Sequence, residues 1–306
     1  MPKIVNLVLS ILCGFVFLLS AYAKLYPVEF FEFTFVELHI ASWSIAPFLS
    51  RLLIGLEFFI GLALVGNLMP VRRFYLGIIA LLSLFSFHLL ITWYMQGNEG
   101  NCGCFGTLLP MTPMQAIIKN IVMTGLVLFL IRKPAVWSVK YRSVILVTGF
   151  ILSFGLPFIL NPVTLANSET FDNETTGYEL PVSVIYSEKK DSEAINENLA
   201  EGKWIIGFFS LTCPHCKLAA YKFHILKEKY PELNVFMVLN GDDEERAAFF
   251  KETKSADIPH TRLKGRDFIK MSGPELPKVF FIDNTVVVQK PSYYQIDDAM
   301  ISEWLR

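Results

Sequence analysis

The chain has 306 residues, of which 53% are hydrophobic and only 18% charged, with a mean hydropathy of +0.45. These values depart from soluble averages toward a chain that is partly membrane. The net charge of −1 and pI near 6.5 exclude the basic face of a nucleic-acid binder. Charge is also uneven: residues 1–165 carry few charged groups, whereas residues 166–306 hold most of the Lys, Glu and Asp and read as a soluble domain.

Apolar runs of bilayer-spanning length, about 20 residues each, are predicted at roughly 4–23, 47–69, 74–95, 112–131 and 142–160. Arg72 and Arg73 follow the second run, and Arg132, Lys133, Lys140 and Arg142 follow the fourth. By the positive-inside rule these loops face the cytoplasm. The loops after runs one and three, and everything beyond run five, are then expected outside. Ala21 and Ala23 in "SAYAK" form an A-x-A arrangement, so run one has a second reading as a cleaved signal peptide. Four spans would then remain in the same orientation. The expected architecture is an α-helical membrane bundle of four to five spans over 1–160, a linker over 161–177, and an α/β domain over 178–306.

Before the fourth run lies "NCGCFG", residues 101–106, with Cys102 and Cys104 one residue apart. A disulfide between them closes a very small, strained and easily reduced ring, which suits a relay thiol pair better than a structural staple. Binding of a soft metal such as copper is the competing reading, and a plain turn on Gly103 and Gly106 is the other. Within the runs, Arg51, Glu57, His88 and Lys119 are ionisable and, by depth, could face one another below this loop. The alternative is structural: Arg51 snorkels to the interface and Glu57 pairs with Lys119. Cys13, at mid-span, reads as a packing residue. "FFEFTFVEL" (30–38) and Trp43 are expected along the outer interface.

"LLSAYAKLYPVEFFEF", Arg51, Glu57 and the C-G-C-F-G run together resemble the MauE and DoxX membrane families over about 130 residues. MauE proteins are implicated in maturing a disulfide-rich periplasmic enzyme, so the resemblance implies an extracytoplasmic redox setting. By analogy with disulfide-generating membrane enzymes, a membrane quinone near Glu57, His88 and Lys119 is a candidate electron carrier.

In the soluble half, "PVSVIY" (181–186), "KWIIGFFS" (203–210), "NVFMVLN" (234–240), "KVFFID" (278–283) and "TVVVQK" (285–290) read as strands. Residues 213–230, 242–253 and the C-terminal "DDAMISEWLR" read as helices, with Asp242 as an N-cap. Cys213-Pro214-His215-Cys216 falls where a buried strand hands over to a helix. That places Cys213 at a helix N-terminus, where free N–H groups and the helix dipole stabilise a thiolate. Cys216 is then the resolving thiol, and His215 adds a donor or positive charge. Zinc would need further ligands at short spacing, and none lie nearby.

"FFSLTCPHC" followed by "GPELPKVFFID" is similar to the membrane-anchored, extracytoplasmic thioredoxin-fold proteins over about 125 residues. The resemblance implies Cys213 as nucleophile, Cys216 as resolving thiol and Pro277 as a cis-proline gripping substrate. It also locates one departure: Gly207 stands where thioredoxins keep a buried acid. The expected activity is thiol–disulfide exchange with periplasmic cysteine-containing clients and with the Cys102/Cys104 pair, in the bacterial inner membrane. The alternatives are a MauE-like assembly module carrying an independent anchored domain, and a copper-handling protein.

Overall fold

The computed structural model describes residues 2–98, 104–106, 108–109, 111–132, 140–163, 176–187 and 197–306. Cys102 and most of the 161–177 linker lie outside the described residues. The chain divides into two compact units, Met1–Val163 and Thr164–Arg306.

The first unit is helical. Its elements are α1 (Pro2–Lys24), α2 (Val28–Glu37), α3 (Ala46–Val65), α4 (Arg72–Gln96), α5 (Pro113–Arg132) and α6 (Arg142–Leu160). All except α2 are long and apolar enough to cross a membrane. The closest packing is of α1 on α3, where a side chain at Gly14 would place its Cβ 2.7 Å from the Gly61 carbonyl oxygen. Cys13, Phe17, Ile60, Leu64, Tyr75 and Val127 form the core between α1, α3, α4 and α5. Helix α1 therefore belongs to the core, and it runs unbroken through the A-x-A positions, with Ala21 and Ala23 both buried. Packed on α3, α6 buries Ser153 and Pro157 and leaves Val147, Ile151 and Ile159 on an exposed apolar face suited to lipid. Segment 30–38 forms most of α2 and the residue after it, with Glu32, Phe33, Phe35 and Val36 buried.

The second unit is a thioredoxin-like α/β domain. Its elements are α7 (Val182–Ser187), β1 (Lys203–Ser210), α8 (Pro214–Lys229), β2 (Val235–Asn240), α9 (Asp243–Thr253), β3 (His260–Arg262), α10 (Gly265–Ser272), β4 (Lys278–Asp283), β5 (Val286–Gln289) and α11 (Asp298–Trp304). The sheet order is β3-β2-β1-β4-β5; β1 and β2, and β2 and β3, run parallel, while β4 is antiparallel to both β1 and β5. Parallel neighbours need crossovers, which α8 and α9 supply. β1 is buried on both faces: Ile206 and Phe208 join a core with Phe236, Phe268 and Phe280, while Phe209 packs edge-on to Phe223 of α8 at 5.3 Å. The turn from β4 to β5 uses Asn284 and Thr285 at φ +46° and +71°, the left-handed pair that a tight two-residue hairpin requires.

The expected strand at 181–186 is instead helix α7. Val182 and Ile185 lie three residues apart and both enter the core, while Tyr186 anchors the turn: its hydroxyl donates to the Glu197 carbonyl at 2.9 Å. Tertiary packing overrides the strand preference of the β-branched residues here. The short strand β3 and helix α10 were not anticipated from the sequence.

Candidate functional site

The dithiol sits where β1 ends. Cys213 is the N-cap of α8, with extended backbone (φ −74°, ψ 122°), and Pro214 occupies the first helical turn, where its missing N–H has no consequence. The Cys213 carbonyl accepts from Lys217 N at 3.1 Å, which closes the first turn. Cys213 is half-buried, His215 exposed and Cys216 fully buried. The two sulfurs are in hydrogen-bond contact, and burial pushes the Cys216 thiol well above the ordinary thiol range, opposed by a backbone hydrogen bond from Ser210. Burial therefore favours the thiol form of Cys216 while both cysteines are reduced.

Pro277 follows a cis bond from Leu276 and directly precedes β4. Because β4 is antiparallel to β1, with Lys278 opposite Phe208, Pro277 lies at the end of the sheet from which the dithiol emerges. Nδ1 of His215 is 3.2 Å from the Tyr293 hydroxyl. Tyr293 is buried, and its carbonyl accepts from the Nζ of buried Lys222 on α8 at 2.9 Å. Lys222 and Tyr293 thus hold a partner against the His215 ring, a pair that no motif in the sequence announces.

Gly207 faces α8 beneath this site. A Cβ there would fall 2.3 Å from Phe209 Cζ and 2.7 Å from Phe223 Cε2. Two aromatic rings therefore fill the volume in which a buried acid would stand.

In the helical unit, Cys104, Phe105 and Gly106 fold inward onto α1. The Ser20 hydroxyl donates to the Cys104 carbonyl at 3.0 Å. Gly106, at φ +54°, packs so closely on the Ala23 carbonyl that a Cβ would fall 2.1 Å from its oxygen. Behind the loop, Ser20, Lys24, Glu57, Cys104, Lys119 and Asn120 contribute to the wall of a small cavity of ≈ 30 Å³. Glu57 pairs with Lys24, whose Nζ lies 2.5 and 2.7 Å from the two carboxylate oxygens and donates to Ser20 at 3.0 Å. One hydrogen-bonded chain thus runs from Glu57 through Lys24 and Ser20 to Cys104.

This corrects the pairing expected from the sequence. Glu57 and Lys119 do meet at one cavity, but the partner of Glu57 is Lys24. Arg51 is buried rather than snorkelling: it pairs with Glu32 at 2.5 Å and donates to the carbonyls of Asn161 at 2.7 Å and Pro162 at 3.3 Å. His88 on α4 does not line the cavity, so Arg51, Glu57, His88 and Lys119 do not form one group. Among the described residues the cavity has room for about two water molecules. A quinone ring is larger than this cavity.

Residues 2–133 match the family described as methylamine utilisation protein MauE, a span that includes α1. The chain is also 32% identical over 325 aligned positions to Protein TlpB of Flavobacterium psychrophilum, covering 90% of this chain and 88% of that protein. The chain belongs to the TlpB family. Among solved structures it is similar to the thioredoxin domain of a thiol-disulfide oxidoreductase from Bacteroides vulgatus, at 15% identity and TM-score 0.32, covering 43% of this chain and 93% of that one. It is also similar to a secreted disulfide oxidoreductase of Mycobacterium tuberculosis, at 15% identity and TM-score 0.27, covering 34% and 80%. A reactive dithiol at a helix N-terminus of a thioredoxin-like domain exchanges with disulfides, a two-electron redox reaction. The TlpB-family chain is a membrane-bound thiol–disulfide oxidoreductase.

Proposed function

We propose that Cys213 and Cys216 exchange disulfides with periplasmic cysteine-containing proteins and with the Cys102/Cys104 pair of the helical unit, in a bacterial inner membrane. The Cys213 thiolate attacks a client disulfide, forming a mixed disulfide and releasing one client sulfur as a thiolate. Cys216, on losing its proton, then attacks Cys213 Sγ, forming the intramolecular bond and expelling the second client sulfur, and the reverse sequence oxidises a client. The observation that carries this reading is the graded exposure of the dithiol: a half-buried N-cap sulfur for partners, in hydrogen-bond contact with a buried thiol that closes the bond. The apolar helices support the orientation, since the two crossings by α5 and α6 return the chain after α6 to the side of the loop between α4 and α5.

Two experiments test it. A Cys216→Ala variant expressed in cells should accumulate mixed disulfides through Cys213, identifiable by non-reducing electrophoresis and mass spectrometry. Failure to trap any partner would argue against client exchange. A Cys102→Ser, Cys104→Ser variant should change the in vivo ratio of oxidised to reduced Cys213/Cys216, read by thiol alkylation, and an unchanged ratio would sink the internal relay.

A further inference from the structure

Among the described residues, the charges buried in the helical unit have opposite partners: Lys24 has Glu57, and Arg51 has Glu32. Lys119 is different. Its ammonium, half-buried on the cavity wall, contacts no carboxylate among the described residues and lies over the Phe105 ring at 4.6 Å to the centroid. It sits six positions into α5, about 9 Å from the start of that helix at 1.5 Å per residue. A cation at such depth is costly without an anion and by default marks function. With Lys24 and Glu57 neutralising each other, the described residues of the cavity carry one positive charge in excess. The α4 residues on its wall, Leu82 and Phe85, are apolar and add no charge. Cys104 lines the same cavity, with its side chain packed against Leu89, Ala116 and Ile117 and its carbonyl held by Ser20, while Phe105 of the same loop lies under the ammonium.

We infer that Lys119 is the counter-ion for the thiolate formed at Cys104, making this cavity the site where the loop sulfur is held as an anion. The inference rests on the proposed redox activity of the loop and adds the group that sets its reactivity. When a disulfide containing Cys104 Sγ is reduced, an incoming protein thiolate attacks the other sulfur. A new S–S bond forms there, the old bond breaks, and the electron pair leaves on Cys104 as a thiolate. In the reverse direction that thiolate is the attacking group. Lys119 stabilises this species in both directions without transferring its proton, and the Lys24–Glu57 pair keeps Glu57 from competing for the ammonium. A sulfur whose anion is stabilised is the faster leaving group.

The test uses the full-length chain, reduced, in lipid nanodiscs. Alkylation of Cys104 by a small uncharged reagent is followed by peptide mass spectrometry from pH 6 to 10. Loss of the cation in Lys119→Met should move the alkylation midpoint up by about one pH unit or more and slow the reaction at pH 7 by roughly tenfold, the usual effect of an adjacent opposite charge. Lys119→Arg should hold the midpoint near that of the unaltered protein. Phe105→Leu, which removes the ring contact and leaves the ammonium, should shift the midpoint far less than Lys119→Met. An unchanged midpoint in Lys119→Met overturns the inference. So does a shift in Lys119→Arg or Phe105→Leu as large as that in Lys119→Met, which would show that Lys119 only shapes the loop. The redox state of Cys213/Cys216 in the Cys102/Cys104 variant reports the relay separately, so either idea can fail while the other stands.

Discussion

Replacing Lys24 by Met leaves the Glu57 carboxylate inside the helical unit with no cation on it. Both side chains are almost fully enclosed, at 5% and 4% exposure, and the ammonium reaches both carboxylate oxygens. Breaking a buried pair from one side typically costs about 3–5 kcal/mol, because the surviving charge keeps its desolvation penalty and loses its attraction. For a unit of this size each kcal/mol moves Tm by about 2–4 °C, so Lys24→Met or Glu57→Met should lower the melting temperature of the purified protein by roughly 6–20 °C. The double variant leaves no stranded charge and fills the space with thioether side chains, so it should recover most of that loss. Thermal unfolding of all four proteins in one detergent, followed by intrinsic fluorescence, closes the double-mutant cycle. If the two single losses simply add in the double variant, Lys24 and Glu57 do not act as a buried pair and the account of this cavity is wrong.

Gly207→Ala forces a methyl against the Phe209 and Phe223 rings and should destabilise the C-terminal unit by about 1–3 kcal/mol, as overpacking does; denaturant unfolding followed by Trp204 and Trp304 fluorescence checks it, and an unchanged midpoint would mean the rings move aside freely. Native alkylation of the reduced protein at pH 8 should leave Cys216 unmodified until denaturant is added, because burial keeps it protonated. The folded thiol ionises later than the unfolded one, so stability of the reduced form is full below the ordinary thiol range and falls as pH rises above about 9; a flat stability profile from pH 7 to 10 would contradict this. Tyr293→Phe removes the hydroxyl held at His215, about 1 kcal/mol. If that contact supports the reduced state, the two-electron potential should fall by about 20 mV, measured against a glutathione buffer, and an unmoved potential would make Tyr293 structural only.

Much of this arrangement was legible in the sequence where one signal sufficed. Continuous apolar runs located the five long helices and strand β1, and the strand-to-helix handover located Cys213 at a helix start, because both depend on neighbours in the chain. Partner choice inside the bundle was not legible. Lys24 closes the first apolar run and reads as its cytosol-distant flank or a residue after a cleavage site, yet it pairs with Glu57, 33 positions away. Depth counting put Glu57 and Lys119 at similar levels, which is true of the cavity, but cannot say which cation approaches the carboxylate. Tyr293 is 78 positions from His215 and carries no motif. Helix α7 was misread because Val and Ile favour strands locally, and only the core it packs against decides otherwise.

The two rings over Gly207 also bear on descent. An acid introduced at Gly207 alone would arrive in space occupied by the Phe209 and Phe223 rings, which would have to move. Shrinking either ring first would open a hole under the dithiol with nothing to fill it. Position 207 and the two rings are therefore coupled, and a well-packed acid there calls for a change at more than one of the three.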